Sequence, residues 1–353
     1  MKQRLTNILA RLKHDKLDCL FLTHPANISY LTDSTSRDSY LIVSPHKNIY
    51  FTDSRYTEEA KATINHTIAI QTVKKPILEE IAAVCKDQRF KRIGFESKFC
   101  SFASYQKLSK LLGNRIHLIP TQDLVEDLRQ IKDQTELSII RQAVEITVQA
   151  LNFIRPRLKP GKTELAIAAE IERFIRLRGA RGPSFDIIVA SGPNSSYPHH
   201  ITSDRKLKAT EAVVIDMGVD VKGYKSDLTR TFFLGKMTSL AQKVYATVRQ
   251  AQEAAIKELK PNVFRSTVDR AARSVIANAG YAACFGHNLG HGVGLEIHEA
   301  PSISAKSDLT LKPGMVFTIE PGIYLPGKFG VRIEDMVLIT ENKEEILSGS
   351  LNK

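Results

Sequence analysis

Across roughly the first third of the chain, short apolar runs alternate with stretches whose apolar residues recur at helical spacing. The runs at 18–22, 40–43, 48–52, 67–73, 92–95 and 116–119 predict strands, and the stretches at 5–12, 76–84 and 102–112 predict helices. Such alternation builds an α/β domain around a mainly parallel or mixed sheet. It holds no glycine-rich phosphate loop, which argues against a nucleotide site there. Beyond Asp123 the helical periods lengthen. Asp133 followed by Glu136 has the form of a capping box, and Leu137, Ile140, Val144, Val148 and Leu151 make one apolar stripe that closes at Pro156. A second helix is predicted from Thr163, with Ile167, Ile171 and Phe174 facing inward. The change of pattern between Asp123 and Asp133 predicts two domains, 1–125 and 126–353.

The second domain carries a faint internal repeat. Leu158-Lys159-Pro160 precedes one amphipathic stretch that ends near Gly179, and Leu259-Lys260-Pro261 precedes another that ends near Gly280, each followed by strand-like sequence. Two related halves of two helices plus strands are expected to share a sheet, with a ligand cleft between them.

Composition changes this picture little. Hydrophobic residues at 42% and charged residues at 25% are those of an ordinary folded chain. The net charge of +12 raises the question of a nucleic-acid or membrane partner, but Lys2, Arg4, Arg11, Lys13, Lys107, Lys110, Lys159, Lys206 and Lys208 are dispersed. A binding face needs clustering as well as charge, so neither partner is expected. Cys19, Cys85, Cys100 and Cys284 show no metal or redox spacing and are expected to be reduced and buried. Residues 1–18 lack the continuous apolar stretch of a secretory signal, and no segment approaches a membrane span, so a cytoplasmic setting is expected.

The chemistry is concentrated in a few acids and histidines. Asp216 interrupts the apolar run 212–217, and Asp227 lies in the run 225–233. A turn at Asp220-Val221-Lys222-Gly223 would set Val219 opposite Tyr224 and Asp216 directly opposite Asp227, an arrangement that requires a proton or a cation between them. His291 lies within Gly290-His291-Gly292-Val293-Gly294, Glu320 ends the run 315–319, and Glu334 interrupts 331–339 with Arg332 on its face. Charged residues usually mark the solvent side of a strand. Here Val213, Val214, Ile215, Ile319, Ile333 and Val337 predict strands buried on both faces, where a charge needs a partner or a metal. Four carboxylates and one imidazole form a hard, oxygen-rich set that suits two divalent ions better than one structural zinc; manganese, cobalt and zinc are all chemically admissible.

Five motifs, Ile215-Asp216-Met217-Gly218, Ser226-Asp227-Leu228-Thr229-Arg230-Thr231, Gly290-His291-Gly292-Val293-Gly294-Leu295 with His298-Glu299, Thr318-Ile319-Glu320-Pro321-Gly322 and Val331-Arg332-Ile333-Glu334-Asp335, resemble the pita-bread metallopeptidases. The likeness spans nearly the whole chain and is nearest the Xaa-Pro aminopeptidase and prolidase branch, whose members also carry such an N-terminal domain. It implies an α/β N-terminal domain followed by an α+β pita-bread catalytic domain with a pseudo-twofold repeat. It also implies hydrolysis of the N-terminal Xaa-Pro bond of peptides, as aminopeptidase or dipeptidase. Asp216 would bind one ion, His291 and Glu320 the other, and Asp227 and Glu334 would bridge both, manganese first among the candidates, with a bridging hydroxide as nucleophile. Glu320 would also shuttle the proton to the leaving nitrogen. Ser191-Gly192-Pro193-Asn194 followed by Pro198-His199 resembles the family segment that presents a histidine, so His199 and His298 would bind substrate and the developing oxyanion, with His200 a neighbouring alternative to His199. His287, Tyr324 and Arg332 would line the substrate pocket, and Arg332 separates this branch from methionine aminopeptidases.

The family pattern further implies a homodimer acting on peptides with proline in second position. Where relatives continue into a Gly-containing loop that can reach a neighbouring subunit's site, this chain reads Asp33-Ser34-Thr35-Ser36-Arg37-Asp38, which bears on substrate length and leaves the metal set intact. Two other readings share the fold: a non-catalytic RNA- or protein-binding relative, and a metal-free creatinase-type hydrolase. Both would have lost ligand carboxylates, and none is missing.

Overall fold

The computed structural model describes residues 2–35 and 37–353, Lys2 in its backbone only; Met1 and Ser36 of the 33–38 loop therefore lie outside the described residues. Two compact units are formed, Met1–Arg129 and Gln130–Lys353.

In the first unit the described residues build one six-stranded sheet in the order Ile68–Thr72, Asn48–Thr52, Tyr40–Val43, Cys19–Leu22, Arg92–Glu96, His117–Thr121. Tyr40–Val43 pairs antiparallel with both neighbours and the remaining pairs are parallel, so the sheet is mixed. Helices Lys2–His14, Ile77–Asp87 and Phe102–Leu112 fall where periodicity predicts them. Pro25–Thr32, Thr57–Thr63 and Glu126–Arg129 are further helices that periodicity misses, being too short to show an apolar stripe. Pro25 opens the first of these, where its missing N–H costs nothing, and Asp33 in the left-handed region ends it. Phe21, Ile42, Phe51 and Ile93 fill the core with Ile81 and Leu108 from the covering helices. Cys19 and Cys85 are buried there; Cys100 and Cys284 are only half-buried, each beside a turn or helix start, and all four thiols are free.

The second unit opens with helix Gln134–Ile154. Its capping box is complete: Glu136 N donates to Asp133 Oδ1 at 2.9 Å, and Asp133 N donates to Glu136 Oε2 at 2.9 Å. The stripe from Leu137 to Leu151 is buried, and helix Glu164–Leu177 follows from the N-cap Thr163. The Leu-Lys-Pro repeat is a structural repeat. Gly161 N donates to Leu207 O and Glu164 N to Arg205 O; at the matching points of the second copy, Asn262 N donates to Leu311 O and Arg265 N to Leu309 O. Gly179 and Gly280 end the paired helices with φ of 92° and 87°, which only glycine adopts without strain.

Each half contributes a sheet. Ala212–Met217 is the middle strand between Ile188–Ser191 and Leu228–Phe233, and Val316–Ile319 pairs with Gly290–Gly292 on one side and Asp335–Ile339 on the other. The predicted register is corrected by two residues. Lys222 and Gly223 both have positive φ and form a two-residue turn, so Val221 faces Tyr224, Leu228 faces Met217, and Asp216 faces Thr229 rather than Asp227. A shift of two keeps every side chain on its face, so Asp216 and Asp227 still share one. No helix among the described residues is long and apolar enough to cross a membrane.

Candidate metal centre

Four of the predicted ligand residues sit at or beside strand ends and the fifth, His291, at a register shift, places where the ladder yields and side chains can converge. Asp216 is the penultimate residue of Ala212–Met217, and Asp227 immediately precedes Leu228–Phe233. His291 is central in Gly290–Gly292, Glu320 directly follows Val316–Ile319, and Glu334 lies in the break between Phe329–Arg332 and Asp335–Ile339. The glycines about His291 are demanded by close backbone approach. A Cβ on Gly290 would stand 1.9 Å from Thr318 O, and one on Gly292 would stand 2.3 Å from Ala300 O.

Donor atoms of Asp227, His291 and Glu334 all lie within 4.8 Å of one another. The His291 tautomer follows from its neighbour: Nδ1 can only donate to the Gly292 carbonyl, at 3.1 Å, so Nε2 presents a lone pair. That Nε2 lies 3.3 Å from Glu320 Oε1 and 3.6 Å from Asp227 Oδ2. Two threonines orient the acids: Thr229 Oγ1 donates to Glu334 Oε2 at 2.6 Å and Thr318 Oγ1 to Glu320 Oε1 at 3.0 Å. Asp216 faces the same cluster but is held from outside it, its Oδ2 accepting from Arg332 Nη2 at 2.6 Å while its buried Oδ1 has no hydrogen-bond partner.

Burial is the first cause of the unusual acidities here, and mutual repulsion the second. Both push Asp227 and Glu334 well above the carboxylate range. Burial likewise pushes Glu320 up to about 8, the Asp216 charge adding to it against the opposing effect of Arg332 and the Thr318 bond. Burial and the neighbouring His298 push His291 down to about 4, which keeps the imidazole neutral and able to ligate. Acids that repel one another in a buried site, an oriented lone pair on nitrogen and a buried oxygen with nothing to bond together fit divalent cations.

The cluster forms the floor of a cavity of about 380 Å³. His199, His287, His298, Tyr324 and Arg332 line it as well, and Phe185, Ile188 and Ile297 give it an apolar side. Of the two candidate histidines at the Pro198 turn, it is His199 that lines the cavity, whereas His200 Nε2 lies 2.9 Å from the buried Glu164 carboxylate. His298 packs edge-on against His291, ring centroids 4.2 Å apart. Arg332 Nη1 donates to Tyr324 Oη at 2.9 Å; His287 Nδ1 donates to Asn288 O, so its Nε2 accepts from Tyr324 Oη at 3.1 Å. Burial above all pushes His287 down to about 4, consistent with the neutral ring this chain of bonds requires.

Several supporting residues escape the sequence reading. Thr229 and Thr318 stand two positions from Asp227 and Glu320, and strand alternation alone could have flagged them. Gln252 is a fully buried amide on the buried face of helix Ser239–Lys257, among alanines and valines with Thr247. Its Nε2 reaches the carbonyls of Ile319 and Ile333, the residues just before Glu320 and Glu334, at 3.1 and 3.2 Å. Arg230, also buried, donates to Glu334 O at 2.6 Å and Asp335 Oδ1 at 2.7 Å. A long amide inside a largely apolar stripe is the signal for Gln252; the partners of Arg230 depend on tertiary pairing.

Residues 138–341 match the model of metallopeptidase family M24, and residues 4–131 match the creatinase/prolidase N-terminal domain. The chain is similar to an Xaa-Pro dipeptidase of Pyrococcus furiosus, 36% identical over 97% of this chain and 96% of that protein. Among solved structures it resembles an Xaa-Pro dipeptidase from Bacillus anthracis, with a TM-score of 0.96 at 34% identity over 100% of this chain and 98% of the other. It also resembles an X-Pro aminopeptidase from Thermotoga maritima, with a TM-score of 0.90 at 35% identity over 98% and 97%.

Proposed function

Because the chain belongs to metallopeptidase family M24, and is therefore a hydrolase, we propose that it cleaves the N-terminal Xaa-Pro bond of peptides with the help of two divalent ions. Residues 126–353 are the catalytic domain in this reading. Asp216 would hold one ion, His291 and Glu320 the other, with Asp227 and Glu334 shared. When bound, the ions would lower the pKa of water toward neutrality and polarise the scissile carbonyl. The observation that carries the proposal is the convergence of Asp227, His291 and Glu334 donors at the floor of a cavity that also holds three further histidines and a buried arginine.

The chain's own residues then divide the work. His199 and His298 donate to the substrate carbonyl and to the oxyanion that develops from it. Glu320 takes a proton from the attacking water and delivers it to the leaving nitrogen. That delivery is essential for this substrate, because the nitrogen of an Xaa-Pro bond bears no hydrogen and must gain one to depart as an amine. Arg332, oriented by Asp216 and Tyr324, and His287, oriented by Tyr324, bind and align the peptide.

Manganese is the ion we assign first, with cobalt and zinc next, because the set is rich in hard oxygen donors. Four free thiols suit a reducing compartment and support a cytoplasmic setting. The family pattern supports a homodimer. The test is release of the first residue from Xaa-Pro dipeptides and tripeptides by the purified, manganese-loaded protein. Activity confined to Xaa-Pro substrates is the expected result; a metal-loaded protein inert on all of them would overturn the proposal.

A further inference from the structure

The geometry points to Glu164 as a positioning residue that locks the 191–203 segment so that His199, and not His200, faces the reaction; this rests on the peptidase reading above. Glu164 is the first residue of helix Glu164–Leu177 and its side chain is wholly buried. Its Oε1 accepts from Ser191 N and Ser191 Oγ, both at 2.7 Å, and from Asn194 Nδ2 at 3.1 Å. Its Oε2 accepts from His200 Nε2 at 2.9 Å, Ser203 N at 3.1 Å and Ser203 Oγ at 2.6 Å. One carboxylate thus ties down both ends of the segment and two points between them, Asn194 and His200. Between those ties Pro198 and His199 reach the cavity, and the Pro198 carbonyl accepts from Arg332 Nη1 at 3.3 Å. With His200 held by its ring nitrogen to the carboxylate, the adjacent residue is turned toward the cavity.

An acid at a helix start has an ordinary use, since it complements the helix dipole. The internal repeat separates that use from this one. The first residue of helix Arg265–Asn278 is the counterpart of Glu164, with the same backbone bonding, and it is a buried arginine. The fold therefore does not call for a carboxylate at this point; the half that presents His199 has one, and six donors converge on it. Burial would push the Glu164 carboxyl up, but the bonds from Ser203, Ser191 and His200 outweigh burial and hold it below the ordinary carboxylate range.

The test is a double-mutant cycle in the full-length, metal-loaded protein, joined to amide hydrogen exchange over 192–203. Glu164→Gln keeps the shape but turns an N–H group toward donors. We expect kcat/KM on an Xaa-Pro dipeptide to fall on the order of 10- to 100-fold, the cost of misplacing a group that meets the reacting atoms. Bound metal per chain should stay unchanged, and exchange in 192–203 should quicken. On a His199→Ala background the same change should cost less than about threefold, because coupled residues are not additive. Ser203→Ala, a milder loss of one donor, should move both readouts the same way and serves if Glu164→Gln does not fold. An equal loss on both backgrounds, or a segment whose exchange is unmoved by either variant, would overturn the assignment. If the wild type itself proves inert on Xaa-Pro peptides the function fails, and the exchange measurement alone decides the role of Glu164.

Discussion

Asp227 is the residue on which the chemistry turns, because it is crowded by Glu334, Asp216 and Glu320 at once. Asp227→Asn keeps its shape and removes its charge. The expected outcome is a loss of peptidase activity of about 1000-fold or more, several kcal/mol of transition-state stabilisation, together with loss of stoichiometric metal uptake in elemental analysis. Glu164 makes a different prediction, about stability. Its folded pKa lies below the ordinary value, so its contribution is complete above about 4.3, the unfolded glutamate value, and is lost as the pH falls through the depressed folded one. The stability gap between wild type and Glu164→Gln, measured by urea unfolding, should therefore be constant from about pH 7 to pH 5 and narrow below that. A gap independent of pH down to about pH 3 would mean that the carboxylate's charge does not matter to the fold.

At the scale of elements, a strand end delivers a ligand and a neighbouring element fixes the angle at which it does so. Gln252 ties the carbonyls before Glu320 and Glu334 to one helix, so both acids are placed from one common point. Gln252→Leu should weaken metal binding by roughly 10-fold, the low end for loss of an outer partner, with fold and far-UV spectrum retained; titration calorimetry reads it. This is also the scale at which the limits of the sequence show. The capping box at Asp133 and the stripe from Leu137 were legible because local bonds and a 3.6-residue period determine them. Asp216, Asp227 and Glu334 could be named because each falls within an apolar run, Glu320 because it ends one, and His291 because glycines flank it. The hairpin register was not legible: Asp220-Val221-Lys222-Gly223 and Lys222-Gly223 are both acceptable turns, and only the positive φ at Lys222 and Gly223 chooses between them. Nor was the pairing of Arg332 with Asp216, whose partners lie 116 residues apart, and His199 was preferred to His200 through the family resemblance alone, since the His200–Glu164 bond spans 36 residues.

For the whole molecule, the duplicated arrangement of helices and strands places two sheets so that Asp216 and Asp227 come from one half and His291, Glu320 and Glu334 from the other. Ions held between them would fasten the halves together, and a ligand that binds only the folded state stabilises it by mass action. At a thousandfold excess over Kd that is about 4 kcal/mol per site, so chelation should lower the melting temperature by roughly 10 °C, as read by calorimetry. An unchanged melting temperature would mean that the halves close without ions. The most direct measurement is anomalous scattering from crystals of the manganese-loaded protein. Two manganese peaks per chain are predicted, both beside Asp227 and Glu334, with Asp216 at one and His291 and Glu320 at the other. A single peak, or none with Asp216 still bonded only to Arg332, would contradict a dinuclear centre.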